Sequence, residues 1–395
     1  GARRGGAPVE THGGDRVSAL CPQPFATLLA RALAEVESGR EVFGLPRRSF
    51  WQPKPGLDLS VAVPGGRAAT PLGPAAGPHT QLAHNIVVAW LAGARAIELK
   101  TVQVKDDLVI PRPCIDAPAV GYNVEWSQEL RIEESLEQYL AAWLIVHVLG
   151  ARGVAPARGT VFDASVGYDL AGIRSEPVAR FLNTLADAGA RLDAMRATLP
   201  SPLRAAADVP VPPKVVDTVT LSTFHGCPVS EIEGIVTHLL ERHALNVVVK
   251  LNPTLLGLET VEELLHGALG YDEVTLHRPA FESDIGWERA LAMIGKLSEV
   301  AGRCGRTLGV KLTNTLVVRN TRGRLEGEVV YLSGPPLHVL AVELARRLSD
   351  ATHGRLPLAF SGGIEAENFA DAVACGFAPV TTCTDLLKPT GYRRL

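Results

Sequence analysis

From about residue 67 to the C-terminus, short apolar runs alternate with longer stretches whose hydrophobic positions recur at helical spacing. The strand-like runs are 71–76, 96–102, 160–166, 216–223, 246–251, 273–277, 308–313, 357–361 and 379–383. Between them lie amphipathic helices. Leu337, Leu340, Leu344 and Leu348 form one apolar stripe after Gly334-Pro335-Pro336, and Ile86, Val87, Trp90 and Leu91 form another over 81–91. Repeated strand–helix units imply a parallel sheet, and this many imply a barrel or a large doubly wound sheet. A (β/α)8 barrel takes one strand fewer than the pattern offers, and 273–277 has the weakest pattern, so it is expected outside the ring. The Pro-rich stretch 200–213 reads as a loop.

Upstream, Phe25, Leu28, Leu29, Ala32, Leu33 and Val36 predict a helix over 24–37. Residues 43–63 are rich in Pro and aromatics and are expected to pack across the bottom of the main domain. Residues 1–16 are Gly/Arg-rich and read as a disordered tail. The domain reading is therefore tail 1–16, extension 17–66 and barrel 67–395. The chain starts without methionine and ends a few residues past its last strand, which reads as a barrel cut short of its closing helix.

The 395 residues carry a net charge of −3 and 46% hydrophobic residues. This balance leaves no electrostatic footprint for nucleic acid or an anionic membrane. Six scattered cysteines form no C-x-x-C, so no metal or cluster ligand set is expected within this chain. Reduced thiols suit a cytoplasmic protein. No apolar stretch is long enough to span a bilayer, and no signal peptide is recognisable. Homo-oligomerisation is left open.

Candidate chemistry gathers at the predicted strand ends. Ser361-Gly362-Gly363 and, one helix later, Thr382-Cys383-Thr384 match the phosphate cradle a barrel builds after its last two strands. Ala75-Ala76-Gly77 after the first strand would let a flat, bulky group lie on the backbone. Lys100 with Thr101, Lys250 with Asn252, and Lys311 with Asn314 place three lysines at strand ends. Burying them calls for an anion or acceptor, and together they can stabilise charge on a heterocycle. Ser165 is a weaker strand-end candidate. His225-Gly226-Cys227 ends another strand before a helix, where a Cys or His could act as general acid or base and the helix N-terminus would lower the thiol pKa. P-loop, zincin, nucleophile-elbow and dinucleotide-fingerprint motifs are missing.

In their order these segments resemble dihydroorotate dehydrogenases and the pyrimidine-reducing domain of dihydropyrimidine dehydrogenase. A closer resemblance is to the large iron–sulfur oxidoreductases of the YgfK type, a family given a selenate reductase role. It is carried by Pro74-Ala75-Ala76-Gly77-Pro78-His79-Thr80-Gln81, Ile97-Glu98-Leu99-Lys100-Thr101, Pro113-Cys114-Ile115-Asp116, His225-Gly226-Cys227-Pro228, Lys250-Leu251-Asn252-Pro253, Lys311-Leu312-Thr313-Asn314 and Thr384-Asp385-Leu386-Leu387-Lys388-Pro389, and runs from about residue 24 to the end.

The resemblance implies a (β/α)8 TIM barrel of the dihydroorotate dehydrogenase type with an N-terminal helical and irregular extension, binding FMN. Ser361, Gly362, Gly363, Thr382 and Thr384 would hold its phosphate. Ala75, Ala76 and Gly77 would carry the ring. Lys100, Thr101, Lys250, Lys311, Asn252 and Asn314 would surround its polar edge or the substrate. Cys227 or His225, with Lys100, would serve catalysis. Full-length relatives carry FAD, NAD(P)H and 4Fe–4S modules, which would be the electron-supplying partners for reduction of an unsaturated, heterocyclic substrate. Two departures stand out. The segment 221–227 lacks the Asn that dihydroorotate dehydrogenases of the cytosolic kind place there, and their catalytic Cys sits on a separate, longer loop. Two rival readings remain: a flavin-free barrel acting on a phosphorylated metabolite through a lysine Schiff base, and a degenerate barrel that only docks redox subunits.

Overall fold

The computed structural model describes residues 20–395 apart from 107, 119, 125 and 223; the expected tail 1–16 lies outside the described residues. Eight strands form one parallel sheet: β1 (Leu72–Pro74), β2 (Ala96–Glu98), β3 (Val161–Val166), β4 (Val216–Leu221), β5 (Asn246–Leu251), β6 (Leu308–Leu312), β7 (Leu358–Phe360) and β8 (Val380–Thr382). They lie in the order β1-β8-β7-β6-β5-β4-β3-β2, each beside its sequence neighbour with helical connections between, as right-handed βα units require.

The ring closes where β1 meets β2. The Arg95 N–H donates to Leu72 O at 2.9 Å. A Cβ on Gly73 would lie 1.5 Å from Ala96 O, so only glycine lets the two backbones meet at this seam. The run 273–277 stays outside the ring, as its weak pattern suggested. Only an isolated bridge between Leu276 and Val318 remains of it, because the segment meets a hairpin on the barrel's rim rather than a barrel strand.

The helix Phe25–Ser38 buries Leu28, Leu29, Ala32 and Leu33 and ends at Gly39 in the left-handed region, φ 71°. The extension is pinned by a buried cation. Arg95 lies with its guanidinium 4.8 Å from the Trp51 ring and 5.3 Å from the Trp90 ring and donates to Trp90 O and Ala94 O. Burial pulls its pKa down to about 9. A hairpin, Val61–Val63 with Gly66–Ala68, crosses the N-terminal end of the barrel, where the Thr218 hydroxyl donates to Pro64 O at 2.8 Å.

At the opposite end, the connections after β2 and β6 build a second sheet that strand patterning does not foretell. Its antiparallel strands lie in the order Leu316–Arg319, Val329–Ser333, Gly121–Asn123, Ile115–Asp116. This cap sheet roofs the C-terminal ends of the barrel strands. Among the described residues, no helix is long and apolar enough to cross a membrane.

Candidate functional site

A cavity enclosing about 1120 Å³, its open mouth included, lies between the C-terminal strand ends and the cap sheet. This is the face where barrels of this kind place their chemistry. Its floor is Ala75, Ala76 and Gly77. A Cβ on Gly77 would come 2.6 Å from Cys383 Sγ, so the floor is flat because it has no room for a side chain.

On the β7–β8 side the wall is mostly backbone. Ser361, Gly363, Ile364, Glu365, Thr384 and Asp385 line it. The N–H groups of Gly363, Ile364 and Thr384 find no acceptor within the described chain, and the helix Ala366–Ala374 starts directly behind. Such a set suits an anion. The carboxylates of Glu365 and Asp385 also lie here, but Lys388 sits 2.6 Å from Glu365 Oε1 and Arg394 2.8 Å from Asp385 Oδ1. Gly363 has φ +57°, and a Cβ there would lie 2.6 Å from Gly334 O.

Two residues expected in this cradle serve it from behind. Gly362 is outside the lining and gives a close approach to Ala341, 2.5 Å from a would-be Cβ. The Thr382 hydroxyl donates to Ile364 O at 2.8 Å and is engaged there, so it shapes the loop and is not free to hold phosphate.

Lys100 lines the far wall. Its Nζ donates to Trp126 O at 2.7 Å and lies 4.6 Å from the Trp126 ring centroid. Thr101 also lines the cavity, in a hydroxyl triangle with Ser165 and Ser222 at 2.8, 3.2 and 3.1 Å.

The other two lysines share one carboxylate. Lys250 lines the cavity, but its Nζ lies 3.4 Å from Glu98 Oε1. Lys311 lies below the floor and is ion-paired with Glu98 Oε2; it does not line the cavity. The two lysines are register partners on β5 and β6, which lets one carboxylate from β2 serve both. Glu98 Oε2 also accepts from the Ala76 N–H of the floor, at 3.0 Å. Burial alone would raise the Glu98 pKa, yet Lys250 and Lys311 hold it down at about 2. Burial depresses the Lys311 ammonium pKa and Glu98 opposes that.

Asn252 is fully buried and sits behind the cavity wall. Its Oδ1 accepts from Asn314 Nδ2 at 2.9 Å, and Asn314 lines the cavity. Asn252 Nδ2 donates to Asp284 Oδ2 at 2.7 Å and lies 2.8 Å from His225 Nδ1. Asp284 also accepts from Thr254 Oγ1 and the Gly226 N–H, each at 2.7 Å. Burial opposes its ionisation, but these donors and His225 outweigh it and lower its pKa. An acceptor-only carboxylate thus fixes which way the Asn252 amide points.

Neither His225 nor Cys227 lines the cavity. Cys227 lies in a separate outer groove with Pro228, Glu233 and Arg289. The expected lowering of its thiol pKa is reversed: burial, with the Glu231 carboxylate adding, pushes it up to about 11. A thiol that does line the cavity is Cys383, 3.8 Å from His79 Nδ1. Burial raises that thiol pKa too and lowers the His79 pKa to about 4, with Lys100 adding to the effect.

The residues missed from sequence are the acceptors: Glu98, Asp163 and Asp284. Glu98 lay in the open, two residues before Lys100 on the same strand run. Three strand-end lysines called for an anion or acceptor, and the chain itself supplies them: Glu98 for Lys250 and Lys311, and Trp126 O for Lys100.

The chain belongs to the family described as "Oxidoreductase YgfK, N-terminal TIM-barrel domain", whose model matches residues 43–395. It is 42% identical over 395 residues to "Putative oxidoreductase YgfK" of Escherichia coli K12, and equally to that of Escherichia coli O157:H7. The match covers 95% of this chain but 38% of each relative. Among solved structures, ligand-free dihydroorotate dehydrogenase from Eimeria tenella aligns with TM-score 0.54 and 16% identity, covering 88% of this chain and 89% of that one. The same enzyme in complex with ferulenol aligns with TM-score 0.54 and 17% identity, over 93% and 88%. These two likenesses establish the fold.

Proposed function

We propose that this YgfK-family barrel is the FMN-binding oxidoreductase domain of a longer protein. It would reduce an unsaturated, heterocyclic substrate with electrons from FAD, NAD(P)H and iron–sulfur modules elsewhere in that protein. The observation that carries this is the convergence, in one cavity, of unpaired backbone N–H groups, a flat floor and two cations. Gly363, Ile364 and Thr384 offer the donors, and Ala75 to Gly77 give a surface on which an aromatic ring system fits. Lys100 and Lys250 lie on the far wall. The dihydroorotate dehydrogenase fold supports the same reading.

Bound FMN would supply hydride transfer. The protein's own part is electrostatic and steric. The cradle would orient the phosphate, and the floor would exclude water from one ring face. Lys100 and Lys250 would favour negative charge on the ring. Asn314, held by Asn252 and Asp284, would present its amide to the ring edge or the substrate. Lys250 is a poor Schiff-base nucleophile in this arrangement, because an ammonium paired with Glu98 has no lone pair. Cys227 is not the acid favoured by this geometry; Thr101 and Ser222 are among the hydroxyl-bearing residues that line the cavity.

Titration of the folded protein with FMN, followed by flavin fluorescence and visible absorption, tests this. Saturable uptake with bleaching by dithionite is expected, and Lys100→Met should weaken FMN binding by about tenfold, as loss of one charge-assisted contact does. A folded protein that takes up no FMN sinks the proposal.

A further inference from the structure

Beneath the cavity floor, charged and hydroxyl side chains interrupt the aliphatic packing that ordinarily fills the centre of a barrel. A chamber with room of about 30 Å³ lies there, enough for about two water molecules. Glu98, Asp163, Thr220, Lys311 and Thr381 line it, and Val63 and Pro64 of the N-terminal hairpin face it from below. Three polar atoms of its lining residues, Glu98 Oε1, Asp163 Oδ1 and Thr381 Oγ1, are buried without a hydrogen-bond partner among the described residues. Unpartnered polar atoms facing a void of this size are what ordered water satisfies.

We infer that this chamber is a hydrated proton-exchange site, in which Asp163 takes up a proton when negative charge enters the cavity above. The groups around Asp163 explain why it fills this role. From β2 comes the Glu98 carboxylate, a like charge. From β4 the Thr220 hydroxyl donates to Asp163 Oδ2 at 2.6 Å. From β5 and β6 come Lys250 and Lys311, which act on it as opposite charges, and from β8 the Thr381 hydroxyl. β7 contributes Ala359 and the hairpin Val63 and Pro64, none of them charged.

The two carboxylates are driven apart. Glu98 holds both lysines and stays ionised. Asp163 is left with burial and the repulsion of Glu98, which raise its pKa to about 7. One titratable proton therefore sits near neutrality, behind Lys250 of the cavity wall. A negative charge arriving in that cavity offsets Lys250 and strengthens the hold of Asp163 on its proton. The identity of that charge, electrons delivered to bound FMN, rests on the proposed function. The proton site itself does not.

Isotope-edited infrared spectroscopy of the flavin-free protein tests the site. A protonated-carboxyl band is expected that titrates with a midpoint near 7, shifts promptly in deuterated water and is missing in Asp163→Asn. Thr220→Val should move the midpoint upward, since that hydroxyl favours the carboxylate form. No titrating band between about pH 5 and 9 overturns the inference. The coupling is tested by loading with FMN, reducing with dithionite and measuring proton uptake with an indicator dye. Wild type should take up as much as about one proton more than Asp163→Asn. Equal uptake by the two overturns the coupling. A titrating band in a protein that refuses FMN upholds the proton site and sinks the flavin reading instead.

Discussion

The two walls of the cavity are built on opposite principles. The β7–β8 wall is backbone: Gly363, Ile364 and Thr384 present N–H groups from loops that keep their shape through glycine and the Thr382 hydroxyl. The far wall and the space beneath it are charge. Lys100, Lys250, Lys311, Glu98 and Asp163 come from strands β2, β3, β5 and β6, or from just beyond their ends. A backbone wall depends on local conformation and on the few contacts, such as the Thr382 hydroxyl, that fix it. A charged wall depends on partners far apart in sequence, and removal of one leaves another buried and unpaired.

The largest effect should therefore follow from breaking the charged side at its hub. Glu98→Gln leaves Lys250 and Lys311 without their carboxylate and should destabilise the fold by about 3–5 kcal/mol, measured by urea denaturation. Glu98→Met combined with Lys311→Met should recover much of that loss, because the pair then leaves together. If the single and double variants lose the same stability, the ion pair is not what stabilises the charged side.

The same carboxylates give the stability curve two opposed slopes. The Glu98 pKa falls from 4.5 to about 2 on folding. Its contribution is present above about 4.5 and is lost as pH falls toward 2. The Asp163 pKa rises from 3.8 to about 7. The folded state then holds a proton that the unfolded state has released, so stability declines as pH rises from about 4 to about 7 and levels above that. Urea midpoints across this range should show the decline in wild type and lose it in Asp163→Asn.

The backbone wall should yield less. Gly363→Ala puts a Cβ 2.6 Å from Gly334 O at φ +57°, a cost of about 1–3 kcal/mol. Its damage should be concentrated in FMN affinity, leaving infrared and pH signatures of the charged interior as in wild type. Movement of those signatures would mean that the two walls are mechanically one.

Legibility from sequence follows the same division. The barrel, its eight strands and the place of 273–277 are written in local periodicity, and the cradle and floor in contiguous small residues. Ser361, Gly363 and Ala75–Gly77 could be read as a site because each motif is complete within a few positions. The lysines were visible but their partner was not. Pairing Lys311 with Glu98 spans 213 positions, and only the closed ring brings β2 opposite β6. Asn252 had the same fate: its spacing from Lys250 suggested a ligand contact, but Asp284 pulls its amide behind the wall. The cap sheet stayed hidden because its strands are short and come from two distant loops.

Cys227 offers the smallest effect and the most direct contrast with the sequence reading. Its position before a helix suggests an activated thiolate, since helix N-terminal N–H groups favour negative charge. In the folded chain the thiol is half buried beside Glu231, and both influences favour the neutral form, pushing the pKa to about 11. Thiolate is the nucleophile, so at neutral pH Cys227 should alkylate with iodoacetamide more slowly than the exposed Cys21 and Cys375, as peptide mapping would show. Cys227→Ser should leave FMN affinity unchanged and stability within about 0.5 kcal/mol of wild type. Rapid alkylation that FMN blocks would place this thiol in the cavity after all.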